Sequence, residues 1–401
     1  MVAGDIGSVI DSLDYLNEGG YVTRLIHVAG EIYLVGDQPS AAPGETMVYS
    51  FSVDAAGNIS DAVIRSLVLH TAAGRGGPVG GFAHVSGDVF AAAYVTRYKT
   101  VVGTFTCDSS GILGAAVIDT IELEDKPGNA MWMPDIRKVT GNVFVVSYTQ
   151  DFTDDGLMKT ITINDDGTID EPELDSWKWD TNRGTKPYIL QVSAARYLQI
   201  RSQGASYRGW IDQVSITDAG IISLVSYGSF DSVKYVGGTV HRVSGDVYAI
   251  FYEGGPNNTY GMVTTVLCSF LAWPGPTVID SWEYYSGATA WPRAVEVSLN
   301  SAGTGKVFAV ATSPGVPDVP QVNTIEVLND GTITKSIVDS QQLSAGYAYN
   351  PDILRHAPGI YLISARVLAP AKQTVYTFDI EEAEVSGVGG IAYPLVGAAF
   401  I

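Results

Sequence analysis

The stretch VSGDVYAIFYE, Val243 to Glu253, is written more than once in this chain. VSGDVFAAAYV at Val85–Val95 and VTGNVFVVSYT at Val139–Thr149 repeat its pattern, a small polar turn followed by a β-branched and aromatic run. With the opening Val as a marker, the phrase recurs at Val28, Val85, Val139, Val192, Val243 and Val297, and His356 holds a seventh place. The intervals are 57, 54, 53, 51, 54 and 59 residues. A fixed period of this size is the signature of a repeat architecture.

Other landmarks keep step. A proline stands five residues before the marker at Pro134, Pro187, Pro292 and Pro351, and an aromatic follows it at Tyr33, Phe90, Phe144, Tyr197, Tyr248, Phe308 and Tyr361. VIDS at Val9–Ser12 returns at Val63–Ser66, Val117–Thr120, Glu173–Ser176, Val278–Ser281 and Ile337–Ser340, with a blurred copy near Val225. Each unit carries four strand-like runs, here lettered a to d; in the third unit they are DIRKV, VFVVSYT, LMKTITI and ELDSWKW. The b run is apolar throughout, as a strand covered on both faces is. The c run alternates, which predicts a half-exposed strand. Seven four-stranded units with no helix-period segment predict an all-β, seven-bladed β-propeller of antiparallel blades. Blades are expected to begin near 22, 80, 134, 187, 238, 292 and 351, within a propeller domain spanning 1–380. The chain opens on a d-type strand at 8–16, and the seventh unit has no d strand of its own. The first strand is therefore expected to complete the last blade and remove the exposed edges.

On these residues the chain resembles the seven-bladed β-propeller superfamily over essentially its full length. Its c–d turns resemble degenerate Asp-box hairpins: SVDAAGNI (Ser52–Ile59), TCDSSGIL (Thr106–Leu113), TINDDGTI (Thr162–Ile169), SITDAGII (Ser215–Ile222) and VLNDGTI (Val327–Ile333). The resemblance implies a structural turn and no activity. Its physics is plain, since Asp or Asn caps the turn and Gly takes the positive φ that a short hairpin requires. Units five and seven lack the turn.

A formal charge of −20 argues against a nucleic-acid partner, because phosphate binding relies on clustered Lys and Arg. No run reaches the roughly 18–20 apolar residues of a membrane helix, and MVAGDIGSVIDSLDYL does not read as a signal peptide. Two cysteines exclude a disulfide scaffold; Cys107 and Cys268 fall in non-adjacent repeats and are expected to be separate buried thiols. Compartment is not encoded in any segment.

The a–b and c–d turns are mostly tight, whereas the b–c loops and d–a crossings are long and differ between units. Variation therefore gathers on one face, where binding usually sits. That face carries Trp132, Trp179, Tyr207, Trp210, Tyr260, Trp291, Tyr347 and Tyr349 as candidate ligand-binding aromatics, together with Tyr98, Phe152 and Tyr235. Exposed, they suit stacking on sugar or anchoring a protein partner; otherwise they fill gaps between blades. The residue before each marker is polar: His27, His84, Lys138, Gln191, Arg242, Glu296 and Arg355. These are expected to ring one end of the central channel, either holding an anion or pairing with neighbours such as Asp135 and Asp352.

No metal-ligand spacing appears and no cofactor is implied. No GxSxG, HExxH, phosphate loop or dinucleotide fingerprint is present. Asp135, Asp352 and Glu296 offer carboxylate pairs for glycoside chemistry, and Arg24, Arg137, Arg242, Arg293 and Arg355 lie on inner strands without a motif that fixes a triad. The segment 381–401, Gly-rich and then apolar, with Tyr393, Leu395, Phe400 and Ile401, reads as an assembly tail that folds over the disc or docks into another subunit. The expected function is a non-catalytic binding or structural propeller in a larger assembly of virion, tail or cell-surface type, with a protein partner or self-association. The alternatives are a carbohydrate-binding lectin and, behind it, a glycoside hydrolase.

Overall fold

The computed structural model describes residues 2–16, 24–39, 45–71, 76–96, 99–123, 133–150, 155–181, 184–203, 207–255, 260–270, 275–286, 289–314, 320–343, 348–368 and 371–383. They form 28 strands in seven four-stranded antiparallel sheets, with no helix among them. Accordingly, no helix is long and apolar enough to cross a membrane.

Blade one is β2 (Arg24–Ala29), β3 (Ile32–Asp37), β4 (Thr46–Ser52) and β5 (Arg65–His70). Blade two is β6 (Gly76–Ser86), β7 (Val89–Thr96), β8 (Thr100–Thr106) and β9 (Asp119–Glu122). Blade three is β10 (Asp135–Thr140), β11 (Val143–Gln150), β12 (Asp155–Ile163) and β13 (Ile169–Asp180). Blade four is β14 (Tyr188–Ser193), β15 (Arg196–Gln203), β16 (Arg208–Ile216) and β17 (Ile222–Asp231). Blade five is β18 (Tyr235–Ser244), β19 (Val247–Gly254), β20 (Tyr260–Leu267) and β21 (Thr277–Tyr285). Blade six is β22 (Thr289–Leu299), β23 (Gly305–Pro314), β24 (Gln321–Leu328) and β25 (Ile333–Gln342). Blade seven is β26 (Ala348–Ala357), β27 (Ile360–Leu368), β28 (Ala371–Ile380) and, as its outermost strand, β1 (Ile6–Leu16). β1 pairs with β28 from Ile6↔Ile380 to Leu16↔Gln373, so the first strand seals the ring.

The repeated phrase is a bulged hairpin. In all seven blades the register between strands a and b shifts at the marker residue, between His27 and Ala29 in blade one and between Arg242 and Ser244 in blade five, for example. A bulge adds local twist, which the innermost strands of a closed ring need. Cores form between blades rather than within them: each apolar cluster draws on two adjacent sheets.

The b strands are covered on both faces, β7 at every residue. The c strands match the expected half-exposure only in part. β12 alternates buried with partly buried residues, but β4 and β8 are buried over most of their length, and the fuller exposure lies in the outer strands, as in β13. The reason is position, because only the outermost strand of a blade has a face that no neighbouring blade covers.

The landmark segments bind blade to blade. A Ser or Thr hydroxyl on strand c donates to a glycine carbonyl of the following blade at six of the seven junctions: Ser50 to Gly111, Thr104 to Gly167, Thr160 to Gly220, Thr265 to Gly331, Thr324 to Gly4 and Thr377 to Gly57, at 2.5–2.7 Å. The Asp of the VIDS-type segment accepts from a backbone N–H across the same junction, as Asp11 does from Ile59, Asp119 from Ile169 and Asp175 from Ile222. The apolar residue beside that Asp lies over the turn glycine, so a Cβ at Gly220 (φ +82°) would meet Leu174 at 2.7 Å. The Asp-box-like turn is therefore an inter-blade clasp. The junction of blades four and five is the exception, since unit five lacks the turn and Gln213 replaces the hydroxyl.

Candidate functional site

Each residue of the polar ring pairs directly with the aromatic landmark of its own b strand, from His27↔Tyr33 through Arg242↔Tyr248 to Arg355↔Tyr361. Its polar end is tied to nearby groups. His27 Nε2 and His84 Nε2 meet the carbonyls of Gly30 and Gly87 at 2.9 and 2.8 Å, and Arg242 donates to Gly245 O at 2.6 Å. Lys138 donates to Val85 O of the preceding blade, Gln191 to Tyr197 Oη, and Glu296 pairs with Lys306 at 2.7 Å. Arg355 pairs with Glu382 at 2.5 Å, and Glu382 also accepts from Gly359 N and Tyr361 Oη. The root of the C-terminal segment is thus laid on the disc as far as Ala383, whose N–H reaches Ser298 Oγ. Tyr393, Leu395, Phe400 and Ile401 lie outside the described residues.

Deeper in the channel, Arg24, Asp135, Arg137, Tyr188, Arg293 and Asp352 gather. Asp135 pairs with Arg137 at 3.1 Å and accepts from Ile189 N of the next blade; Asp352 accepts from Leu25 N, and Arg24 donates to Gly80 O, each at 2.8 Å. The guanidinium groups of Arg137 and Arg293 lie 5.3 and 5.5 Å from the centre of the Tyr188 ring. Burial raises the Asp135 and Asp352 carboxyls above the usual range, with the nearby arginines opposing it. These charges knit neighbouring blades. Among the described residues no group of three or more His, Cys, Asp and Glu gathers as a metal site. Cys107 and Cys268 are buried free thiols, both pushed up to about 12 by burial.

On the opposite, variable face, Trp132 and Tyr347 lie outside the described residues, as do Tyr98 and Phe152; Tyr349 falls in β26, but its side chain is not described. Tyr260 begins β20 and is partly buried. Lys186, Tyr207 and Trp291 share a left-handed backbone (φ 54°, 54° and 43°), and Lys186 Nζ lies 4.3 Å from the centre of the Trp291 ring. Burial lowers the Lys186 pKa, with Glu253 acting against it. Tyr235 is fully buried and donates to Lys186 O at 3.3 Å.

Trp179 and Trp210 come together at the junction of blades three and four. Trp179 is buried rather than exposed. Its ring lies against Gly156 and Gly184, where an added Cβ would come within 2.1 and 2.3 Å of it. Arg201 is inserted between the two indoles, with its Cζ 5.0 Å from the Trp179 ring and 5.8 Å from that of Trp210. It donates from Nε and Nη2 to both oxygens of Asp212, the second bond at 3.0 Å, and its Nη1 stands 3.7 Å from Asp180. Burial pushes the Asp212 carboxyl up, with Arg201 opposing. Beside this ion pair opens a cavity of about 170 Å³ lined by Trp177, Trp179, Arg201, Gln203, Asp212, Leu224 and Tyr227. The Tyr227 ring leans on Trp210 at 5.6 Å and is 48% exposed, so the cavity has an aromatic, solvent-facing wall.

Blade four builds this cleft by departing from the repeat. Two residues after the b-strand aromatic the other six blades place Val35, Ala92, Val146, Ile250, Val310 and Ile363; blade four places Gln199. Two further on it places Arg201, and Gln199 is paired across the sheet with Asp212. Trp179 and Trp210 were legible as face aromatics, but Arg201, Gln203, Asp212, Trp177 and Tyr227 were not. Their signal is the break in an otherwise apolar b run, YLQIRSQ at Tyr197–Gln203.

No family model matches the chain, and no curated protein matches it. Solved structures do. The WD40 domain of coronin from Toxoplasma gondii has a TM-score of 0.57 at 11% identity, covering 94% of this chain and 89% of that one. Sqt1 from Chaetomium thermophilum has 0.55 at 10% identity, covering 93% and 99%. Hydrazine synthase from Kuenenia stuttgartiensis has 0.54 at 11%, covering 93% and 96%. At such identities the likeness is one of fold alone. What the chain shares with these proteins is its architecture, that of a seven-bladed β-propeller.

Proposed function

We propose that this chain is a non-catalytic recognition module, a part of a larger assembly of virion, tail or cell-surface type, and that it holds its partner through the face of b–c loops and d–a crossings. The observation that carries this reading is the unequal use of polar residues. On the a–b side and in the channel they are committed to partners within the fold, in their own hairpin or in the neighbouring blade. Blade four places Gln199 where the other six b strands place an apolar residue, and beside it forms an aromatic cleft around Arg201 toward the variable face. A rigid scaffold with one irregular face is how loop-based recognition is usually built. The fold suits a binding or scaffold role.

The test is a combined glycan and peptide array probed with the labelled full chain. Binding is expected to fall at least tenfold with Trp291→Ala or Tyr207→Ala, and to survive Asp108→Ala on the opposite face. Loss confined to the Asp108 variant would overturn the assignment of the face. The assembly part of the proposal assigns self-association to Tyr393–Ile401. Sedimentation velocity should show oligomers that disappear when those residues are trimmed, and a monomer in both cases contradicts it.

A further inference from the structure

The cleft between blades three and four contains polar atoms that the fold leaves unused. Trp179 Nε1 and Trp210 Nε1 have no acceptor among the described residues, Gln203 Oε1 has no donor, and Arg201 Nη1 makes no hydrogen bond. Buried polar atoms in native folds are nearly always satisfied, so three on residues lining one cavity, with a fourth on Trp210 behind its Tyr227 wall, point to a missing occupant. Three are donors and one is an acceptor. A cationic side chain brings only donors and leaves the indoles and the guanidinium unmet. A carboxylate answers the donors but meets Asp212 and Asp180 at close range and leaves Gln203 unmet. An apolar ring answers none of them. Hydroxyl groups both donate and accept. The cavity, about 170 Å³, is below the roughly 300–1,000 Å³ of pockets for drug-sized ligands, which limits the occupant to about one ring. Trp177 and Tyr227 supply aromatic wall for the apolar face of such a ring.

We propose that this cleft is a binding site for a single neutral pyranose, the terminal sugar of a glycan. The proposal rests on the reading of the variable face as the recognition surface and adds the ligand class. Two carboxylates against one guanidinium make the site select against uronic and sialic acids. Gln203 and Tyr227 set the sugar's orientation through one acceptor and one stacking surface, while the Arg201–Asp212 pair holds the donors in place.

The test uses the full chain and the methyl glycosides of glucose, galactose, mannose, fucose, N-acetylglucosamine and N-acetylgalactosamine, with glucuronate as the charged control. Binding is read by saturation-transfer NMR and by tryptophan emission. At least one neutral glycoside is expected to bind with a millimolar Kd and shift the emission, and glucuronate to bind at least tenfold more weakly. Gln203→Ala and Tyr227→Ala, at partly exposed positions compatible with folding, should each weaken binding about tenfold; His84→Ala on the other face should not. Absence of binding by all six sugars to the folded protein overturns the proposal, as does equal binding of glucuronate or binding indifferent to both cleft variants. Failure here with array binding still lost in Trp291→Ala would remove the sugar assignment alone; indifference of the array to the face variants would remove the underlying reading.

Discussion

Gly156 and Gly184 hold the ring of Trp179 between them, and either would collide with it on gaining a Cβ. The contact explains two glycines in ordinary backbone and gives the first prediction. Gly184→Ala or Gly156→Ala should displace Trp179, seen as a changed near-UV circular dichroism band, while the far-UV spectrum keeps its β character. His241 makes a second residue-scale case. It packs against Phe251 and Phe308 at 6.2 and 5.7 Å, its Nε2 has no partner among the described residues, and burial pushes its pKa down to about 4. The unfolded chain takes up this proton near 6.5, so between pH 6.5 and 4 the unfolded state binds more protons than the native one. Stability therefore falls as pH drops through that window. His241→Phe should remove about 1–2 kcal/mol of the stability difference between pH 7 and pH 5, measured by urea unfolding at the two values.

At the scale of elements, the clasps account for features that look decorative in the sequence. Asp175 accepts from Ile222 N at 2.8 Å across the blade 3–4 junction, and Thr160 donates to Gly220 O at 2.6 Å across the same seam. Removing a charge-assisted bond costs about 1.5–3 kcal/mol and a neutral one about 1. Asp175→Ala should lower the unfolding free energy by the larger figure and Thr160→Val by the smaller, as read from urea midpoints at unchanged slope. The hairpins were legible because turn chemistry and hydrophobic runs are local. The clasp partners were not, since Asp175 and Ile222 lie 47 residues apart and meet only once the blades stand side by side. Strand c was legible in part: LMKTITI alternates buried with partly buried residues in β12, whereas β8 is buried over nearly its whole length.

For the whole molecule, closure is the controlling fact. Leu13 and Tyr15 of β1 are buried in the blade 7–1 core with Tyr33, Phe51 and Val375, although the two ends of the chain are far apart in sequence. Deleting residues 1–16 should expose β28 as an open edge and leave a chain that aggregates, seen by light scattering of freshly purified protein. The period of the repeat made this closure readable in advance. The candidate site was readable only in part, because Trp179 and Trp210 announce themselves as aromatics whereas Arg201 is visible only against six sister strands. The central claim is that blade four gave up a repeat-like packing to form a recognition cleft. Thermodynamic unfolding of the Gln199→Val, Arg201→Tyr, Asp212→Thr triple variant, which restores residues found at those places in sister blades, tests it most directly. Replacing a buried ion pair by packed residues is often neutral or stabilising by about 1–4 kcal/mol, so the midpoint should stay level or rise. A loss of about 3 kcal/mol or more would show that the ion pair serves the fold and contradict the account.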